Sequence, residues 1–297
     1  MPIEDFIIIV YCFVDSELKK LLNGRRIRTR GFDPKLTDAE VITMEIVGEF
    51  LGFDAEKHIW QYFRQHWQEM FPGLGSRSNF AKQCANLWYC KQEIQQSIAC
   101  QIYALADDTH MVDGLPMPVC KYARANRCRI FEEEADFGHC ASKDEKYYGF
   151  HGHLVINFNG VITGFTVTAA NADEREAMFE ITENIIGLLI GDKGYISFDK
   201  QQAMLEERQI NLQTPLRDNM KDDRDPKFVK KIMSIRRKVE TVIGQLVEQF
   251  NIAKIRARDK WHLTSRLARK LLSHTMGLFV NKLLGRDILQ LEGLIMA

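Results

Sequence analysis

Apolar residues over the first hundred positions recur at steps of three and four, the period of an amphipathic helix. Ile3, Phe6, Ile7, Val10, Val14, Leu18 and Leu21 predict one such helix, and Asn23 with Gly24 supplies its stop. Thr37 to Glu40 has the spacing of a capping box, in which two residues satisfy each other's orphan backbone N–H groups. It opens a helix carrying Val41, Met44, Val47 and Leu51. Gly52, Phe53 and Asp54 connect to a further helix with Ile59, Trp60, Phe63, Trp67 and Met70, closed by Pro72, Gly73 and Gly75. Ser76 to Asn79 caps another with Phe80, Leu87, Ile94 and Ile98. A small domain of helices joined by tight turns either presents a helix to a DNA groove or simply packs, and periodicity does not separate the two.

After about Leu105 the period falls to two. Thr109 to Val112 predicts a strand leading into Asp113. His153 to Asn157 and Val161 to Val167 flank Asn159–Gly160, the pair that most strongly signals a hairpin turn. Glu174 to Ile186 reads as helix. Leu188 to Ile190 is a short buried strand running into Gly191, Asp192, Lys193 and Gly194. Phe198 to Glu207 is again helical, Asn211 to Pro215 suits a strand, and a charged loop from Lys221 to Lys227 precedes a helix from Lys230 to Phe250. Strand, hairpin, helix, strand, helix, strand, helix is the order of an α/β sheet with helices on its faces. The expected division is a helical, DNA-binding domain over 1–105, an α/β core over 106–255 and a C-terminal helical segment over 256–297 that joins subunits.

Composition excludes several classes. With 45% hydrophobic and 27% charged residues the chain builds a core and is neither disordered nor collagen-like. Lys+Arg and Asp+Glu are 40 each, so net charge advertises no partner. The longest apolar run, Phe6 to Val14, is nine residues, about half of the roughly 20 a membrane span needs. Glu4 and Asp5 stand where a secretory signal carries Lys or Arg, and the seven cysteines are odd in number without a CxxC pair. A cytoplasmic protein with no membrane partner is the expectation.

Local charge differs from the total. Lys19 to Lys35 holds seven positive residues, Arg25, Arg26, Arg28 and Arg30 among them, against Asp33 alone. Arg217 to Lys270 holds sixteen Lys+Arg against seven Asp+Glu, and Lys121 to Arg129 adds four positives without an acid. Such surfaces suit phosphate contacts, which give affinity but little sequence preference.

Three acids stand at element ends: Asp113 after an apolar strand, Asp192 after Leu-Leu-Ile-Gly, and Glu240 in a helix with Arg236 and Arg237 at i−4 and i−3. Two divalent cations about 3.5 to 4 Å apart clamp the attacking and leaving oxygens of a phosphodiester, and their oxygen ligands must come from different elements. Two strand-end aspartates and a helix glutamate have that disposition, with Lys193 placed to meet a phosphate. Each acid alone is equally a turn, cap or ion-pair residue.

At these residues the chain resembles the DDE transposases of bacterial insertion sequences, most closely the insertion sequence 982 family. The stretches that carry the resemblance are MVDGLPMP (Met111 to Pro118), YGFHGH (Tyr148 to His153), GFTVTAANADERE (Gly164 to Glu176), LIGDKGY (Leu189 to Tyr195), TPLR (Thr214 to Arg217) and Arg236 to Leu246. The resemblance implies an RNase H-like core of mixed sheet and flanking helices. It also implies Asp113, Asp192 and Glu240 as catalytic ligands of two Mg²⁺ ions, with Mn²⁺ as a substitute. The implied reaction is cleavage at the element's ends, then attack of the freed 3′-hydroxyl on target DNA. The partners are the terminal inverted repeats and target DNA, with a homodimer in the synaptic complex. The transposase signature Tyr-x₂-Arg-x₃-Glu-x₆-Lys is matched only at Arg236 and Glu240, since Met233 and Val247 hold its outer positions. A DNA-binding derivative without cleavage, or a nuclease that hydrolyses without joining, are the rival functions.

Other acids compete for a site. Asp107 and Asp108 precede the first strand; Asp173, Glu174 and Glu176 follow the hairpin, where Asp173 or Glu174 either caps the next helix or approaches the site. Cys120, Cys128, His139, Cys140, His151 and His153 fit no tight zinc spacing.

Overall fold

The computed structural model describes residues 1–28, 30–102, 106–140, 144–217, 219–254 and 256–296. The expected boundaries at 105 and 255 lie outside the described residues. The chain forms two compact units, one of residues 1–98, 248–251 and 259–297, the other of 99–247 and 252–258.

The first unit is helical: α1 (Ile3–Leu22), α2 (Asp38–Phe50), α3 (Glu56–His66), α4 (Arg77–Asn86), most of α5 (Trp88–Gln101) and, from the far end of the chain, α9 (Lys260–Leu283). The predicted capping box opens α2: Glu40 N–H donates to Thr37 Oγ1 at 3.2 Å and Thr37 N–H to Glu40 Oε2 at 2.6 Å. One stretch predicted as a single helix is two, because the chain turns at Leu87, the C-cap of α4. α2 is buried almost all round, and its Glu45 and Glu49 are carried inside with it. A buried carboxylate must be met by an opposite charge, and α5 and α9 supply them. Lys91 Nζ reaches Glu45 at 3.0 Å, Lys270 Nζ reaches Glu49 at 3.0 Å, and the fully buried Arg269 guanidinium pairs with Glu49 and Glu56. Burial pushes the Glu45 carboxyl upward, against the pull of Lys91 and Arg269. The basic stretch counted from Arg217 to Lys270 is therefore not one DNA-facing surface. It crosses from one unit to the other, and Arg269 and Lys270, with Arg266 paired to Glu56 at 2.9 Å, serve the helical core.

The second unit is a mixed sheet with flanking helices. Its strands are β1 (Thr109–Lys121), β2 (Asp136–Cys140), β3 (Glu145–Asn157), β4 (Ile162–Ala169), β5 (Gly187–Ile190) and β6 (Ile210–Gln213). The order is β2-β3-β1-β5-β6, with β4 also on β3. β2 pairs with the first part of β3 and β4 with the rest, both antiparallel, and the Asn159–Gly160 turn joins β3 to β4 as predicted. β1 runs antiparallel to β3 and parallel to β5, which runs parallel to β6. α6 (Glu174–Ile181), α7 (Phe198–Arg208) and α8 (Pro226–Glu248) complete the unit. Val112, Val155, Met178, Leu189, Met204, Ile210 and Leu212 form a core of sheet residues and the buried sides of α6 and α7. Among the described residues no helix is long and apolar enough to cross a membrane, and all seven cysteines are outside disulfides.

The buried ion network makes a prediction. Arg269→Met strands Glu49 without its guanidinium and lowers the stability of the helical unit by about 3 to 5 kcal/mol, measured by urea unfolding. A loss below about 1 kcal/mol would mean that water already reaches the cluster.

Candidate active site

β1 and β5 are parallel neighbours, and their pairing ends at Met111 opposite Ile190. Asp113 and Asp192 each lie two residues beyond that last rung, so the ladder brings them to the same end of the β1–β5 pairing; Asp192 follows β5, but Asp113, expected at a strand end, lies within β1, which continues along β3 to Lys121. Crevices outside the carboxyl ends of parallel strands are where open α/β sheets hold ligands. Gly191 N–H donates to Gln213 O at 3.0 Å, which ends β5, and Asp192 then caps a short 3₁₀ turn by accepting from Gly194 N–H at 2.7 Å. Asp113 accepts from Gly114 N–H at 2.9 Å.

α8 brings the third acid. Arg236 Nη2 donates to Asp113 Oδ2 at 3.0 Å and Arg236 Nη1 to Glu240 Oε1 at 2.8 Å. The guanidinium is only 16% exposed, and its Nε is buried without a partner among the described residues. Burial pushes the Asp113 carboxyl up to about 6; Arg236 opposes this, while the charges of Asp192 and Glu240 add to it. Asp192 and Glu240 therefore both lie within electrostatic reach of Asp113, and one cation bridges Asp113 to Glu240.

Further groups enter the same space. Asp173 caps α6 through Arg175 N–H at 2.9 Å, and this frees the next residue, Glu174, to point inward. Burial raises the Glu174 carboxyl, and Asp192 and Asp113 raise it further. A Cβ placed on Gly194 would meet Asp192 Oδ1 at 3.0 Å and Glu174 Oε2 at 3.2 Å, so glycine leaves open a cradle between carboxylates of two elements. His151 Nε2 lies 3.4 Å from Glu174 Oε1, in space that any side chain on Gly114 would fill. Tyr195, only 1% exposed, has a hydroxyl with no partner among the described residues and within electrostatic reach of Glu174, Asp113 and Asp192. Its apolar packing hid this role in the sequence.

Not every candidate joins them. Lys193 and Arg237 are exposed beside the site elements. Arg25, Arg26, Arg28 and Arg30 belong to the helical unit. Arg28 is committed there to Asp38 by two hydrogen bonds of 2.8 and 2.6 Å, and Arg26 lies 3.3 Å from Asp33. Asp107 accepts from the Asn157 amide at 2.6 Å and Asp108 from the Thr109 hydroxyl at 3.0 Å, so both close the start of the sheet. The cysteines and histidines weighed for zinc form no metal-holding group among the described residues: His139 faces Asp144 and His153 faces Thr168. The acids themselves are not drawn into a ligating group of three either; Arg236 stands between two of them.

The model of the family described as Transposase DDE domain matches residues 104–281, more than half of the chain. The chain belongs to the DDE transposases. Among solved structures it is similar to the cryo-EM structure of the piggyBac transposase synaptic complex with hairpin DNA, with a TM-score of 0.52 and 8% identity over 94% of this chain and 74% of that one. At that identity the likeness speaks to the fold alone. No curated protein matches this transposase in sequence.

The raised Asp113 carboxyl gives a test in metal-free protein. Its folded form holds the proton more tightly than the unfolded form, so this group's contribution to stability falls as pH rises from 3.8 to about 6. Side-chain carbon NMR of the transposase should place its midpoint near 6; an ordinary aspartate midpoint would mean that the carboxylate cluster is not assembled.

Proposed function

We propose that this transposase cuts DNA at the ends of an insertion element and joins the freed 3′-hydroxyl to target DNA, using Asp113, Asp192 and Glu240 as its catalytic carboxylates. The observation that carries the reading is the register of β1 against β5, which sets two aspartates at one sheet end, together with the Arg236 bridge that ties Glu240 to them. Membership in the DDE family and the resemblance of the quoted motifs to the insertion sequence 982 family support it, as does an RNase H-like reading of the mixed sheet.

The donor set fits a hard divalent cation. Carboxylate oxygens are the ligands that Mg²⁺ and Mn²⁺ prefer. Carboxylates from several elements, a cradle open because residue 194 is glycine, and an orphaned Tyr195 hydroxyl mark a space suited to a positive charge. Held by Asp113, Asp192 and Glu240, two Mg²⁺ ions would polarise the phosphate and activate the attacking oxygen. The chain's own part is to hold the carboxylates in register and to keep a desolvated guanidinium at hand. Arg236 is shaped for two-point contact with a phosphate, so the group that balances the acids in the empty protein becomes a phosphate contact when DNA enters. Lys193 and Arg237, exposed beside it, extend the basic rim. Arg25, Arg26 and Arg30 of the helical unit are the further phosphate contacts, and two copies of the chain act on the two ends of the element.

Asp192→Asn should abolish Mg²⁺-dependent cleavage of element-end DNA while leaving its binding, by gel shift, within about twofold, since a carboxylate that only holds metal contributes little to phosphate affinity. Supplied with a pre-cut 3′-hydroxyl end, the native protein should join it to target DNA and the variant should not. Cleavage that survives the substitution removes Asp192 from the site, and cleavage without joining makes the protein a nuclease.

A further inference from the structure

Glu174 and His151 lie inside the carboxylate cluster, yet neither is one of the three acids of the proposed reaction. Glu174 is drawn inward although its neighbour Asp173 does the capping, so helix formation does not account for its direction. Its Oε2 and Asp192 Oδ1 flank the Gly194 cradle at 3.2 and 3.0 Å from the same point. Its other oxygen, Oε1, lies 3.4 Å from His151 Nε2. The Tyr147 hydroxyl stands 3.4 Å from His151 Nδ1; with the hydroxyl as donor the ring proton sits on Nε2, which faces Glu174 and has no hydrogen-bond partner among the described residues. The buried Tyr195 hydroxyl, without a partner among the described residues, lies within electrostatic reach of Glu174, Asp113 and Asp192.

We propose that Glu174 is a fourth carboxylate ligand of the divalent-cation site, paired with Asp192 across the Gly194 cradle, and that His151 is its positioning residue. The inference rests on the reading of Asp113, Asp192 and Glu240 as metal-holding acids. A metal ligand usually has one oxygen fixed by an outer partner so that the other is aimed, and the His151 Nε2–H has that place here.

The test measures Mn²⁺ binding to the full-length protein without DNA, by electron paramagnetic resonance titration of free Mn²⁺. Glu174→Gln should weaken binding at least tenfold, and His151→Leu by about ten- to hundredfold, the cost of losing an outer partner. His151→Gln, which keeps an N–H donor, should restore most of that loss, and the Glu174→Gln/His151→Leu double variant should be no worse than Glu174→Gln. Metal-free Glu174→Gln should melt at or above the native temperature, because it removes a repelled anion; a purely structural glutamate would lower it. Unchanged Mn²⁺ affinity in Glu174→Gln, with binding abolished by Asp192→Asn, overturns this inference and leaves the three-acid reading standing. Absence of binding in the native protein, or binding that survives Asp192→Asn, overturns both.

Discussion

Negative charge buried at the ends of two parallel strands has to be balanced, and in this protein one guanidinium does it. Arg236 joins Asp113, 123 residues before it, to Glu240 and fastens α8 to β1 just past the rung where its pairing with β5 stops. Asp113 and Arg236 have little access to water, and their desolvation offsets much of their attraction, whereas Glu240 lies open to solvent. Burial raises Asp113 to about 6 even with the arginine beside it, and the charges of Asp192 and Glu240 add to the rise. The divalent cation proposed for this DDE transposase would offset that repulsion.

The same rule works differently in the helical unit. There Glu45, Glu49 and Glu56 meet Lys91, Arg266, Arg269 and Lys270, and the network lies in the packed core. Each carboxylate there is met by a hydrogen-bonded lysine or arginine, so that cluster specifies how α2, α5 and α9 pack. At the sheet end, partners are missing for Tyr195 Oη and Arg236 Nε among the described residues.

Much of this was legible in the residues. A capping box at Thr37 and a hairpin at Asn159–Gly160 are local chemistry, and both predicted features are present. Asp113 and Asp192 could be singled out because each follows a short apolar run. What sequence does not carry is register: that Met111 faces Ile190 is decided by long-range pairing. The length of β1 was hidden by Pro116 and Pro118, which read as breaks. They are tolerated because β1 beyond Met111 has β3 on one side and no β5 residue on the other, so no ladder donor is lost there. β2 was missed in a charged stretch without alternation. Arg269 and Lys270 were counted with a basic surface because charge in sequence says nothing of burial, and their partners lie more than two hundred residues away. Glu174 was weighed against Asp173 as cap or site residue, and only the structure divides the two roles between them.

Asp113, Asp192 and Glu240 are proposed to hold a divalent cation in place of Arg236. Anomalous scattering from crystals soaked in Mn²⁺ reads that exchange. A peak should lie within about 2.0 to 2.3 Å of carboxylate oxygens of Asp113 and Asp192, with the Arg236 guanidinium withdrawn from Asp113. Saturating Mn²⁺ with no peak there, and Arg236 still bridging Asp113 and Glu240, would contradict it.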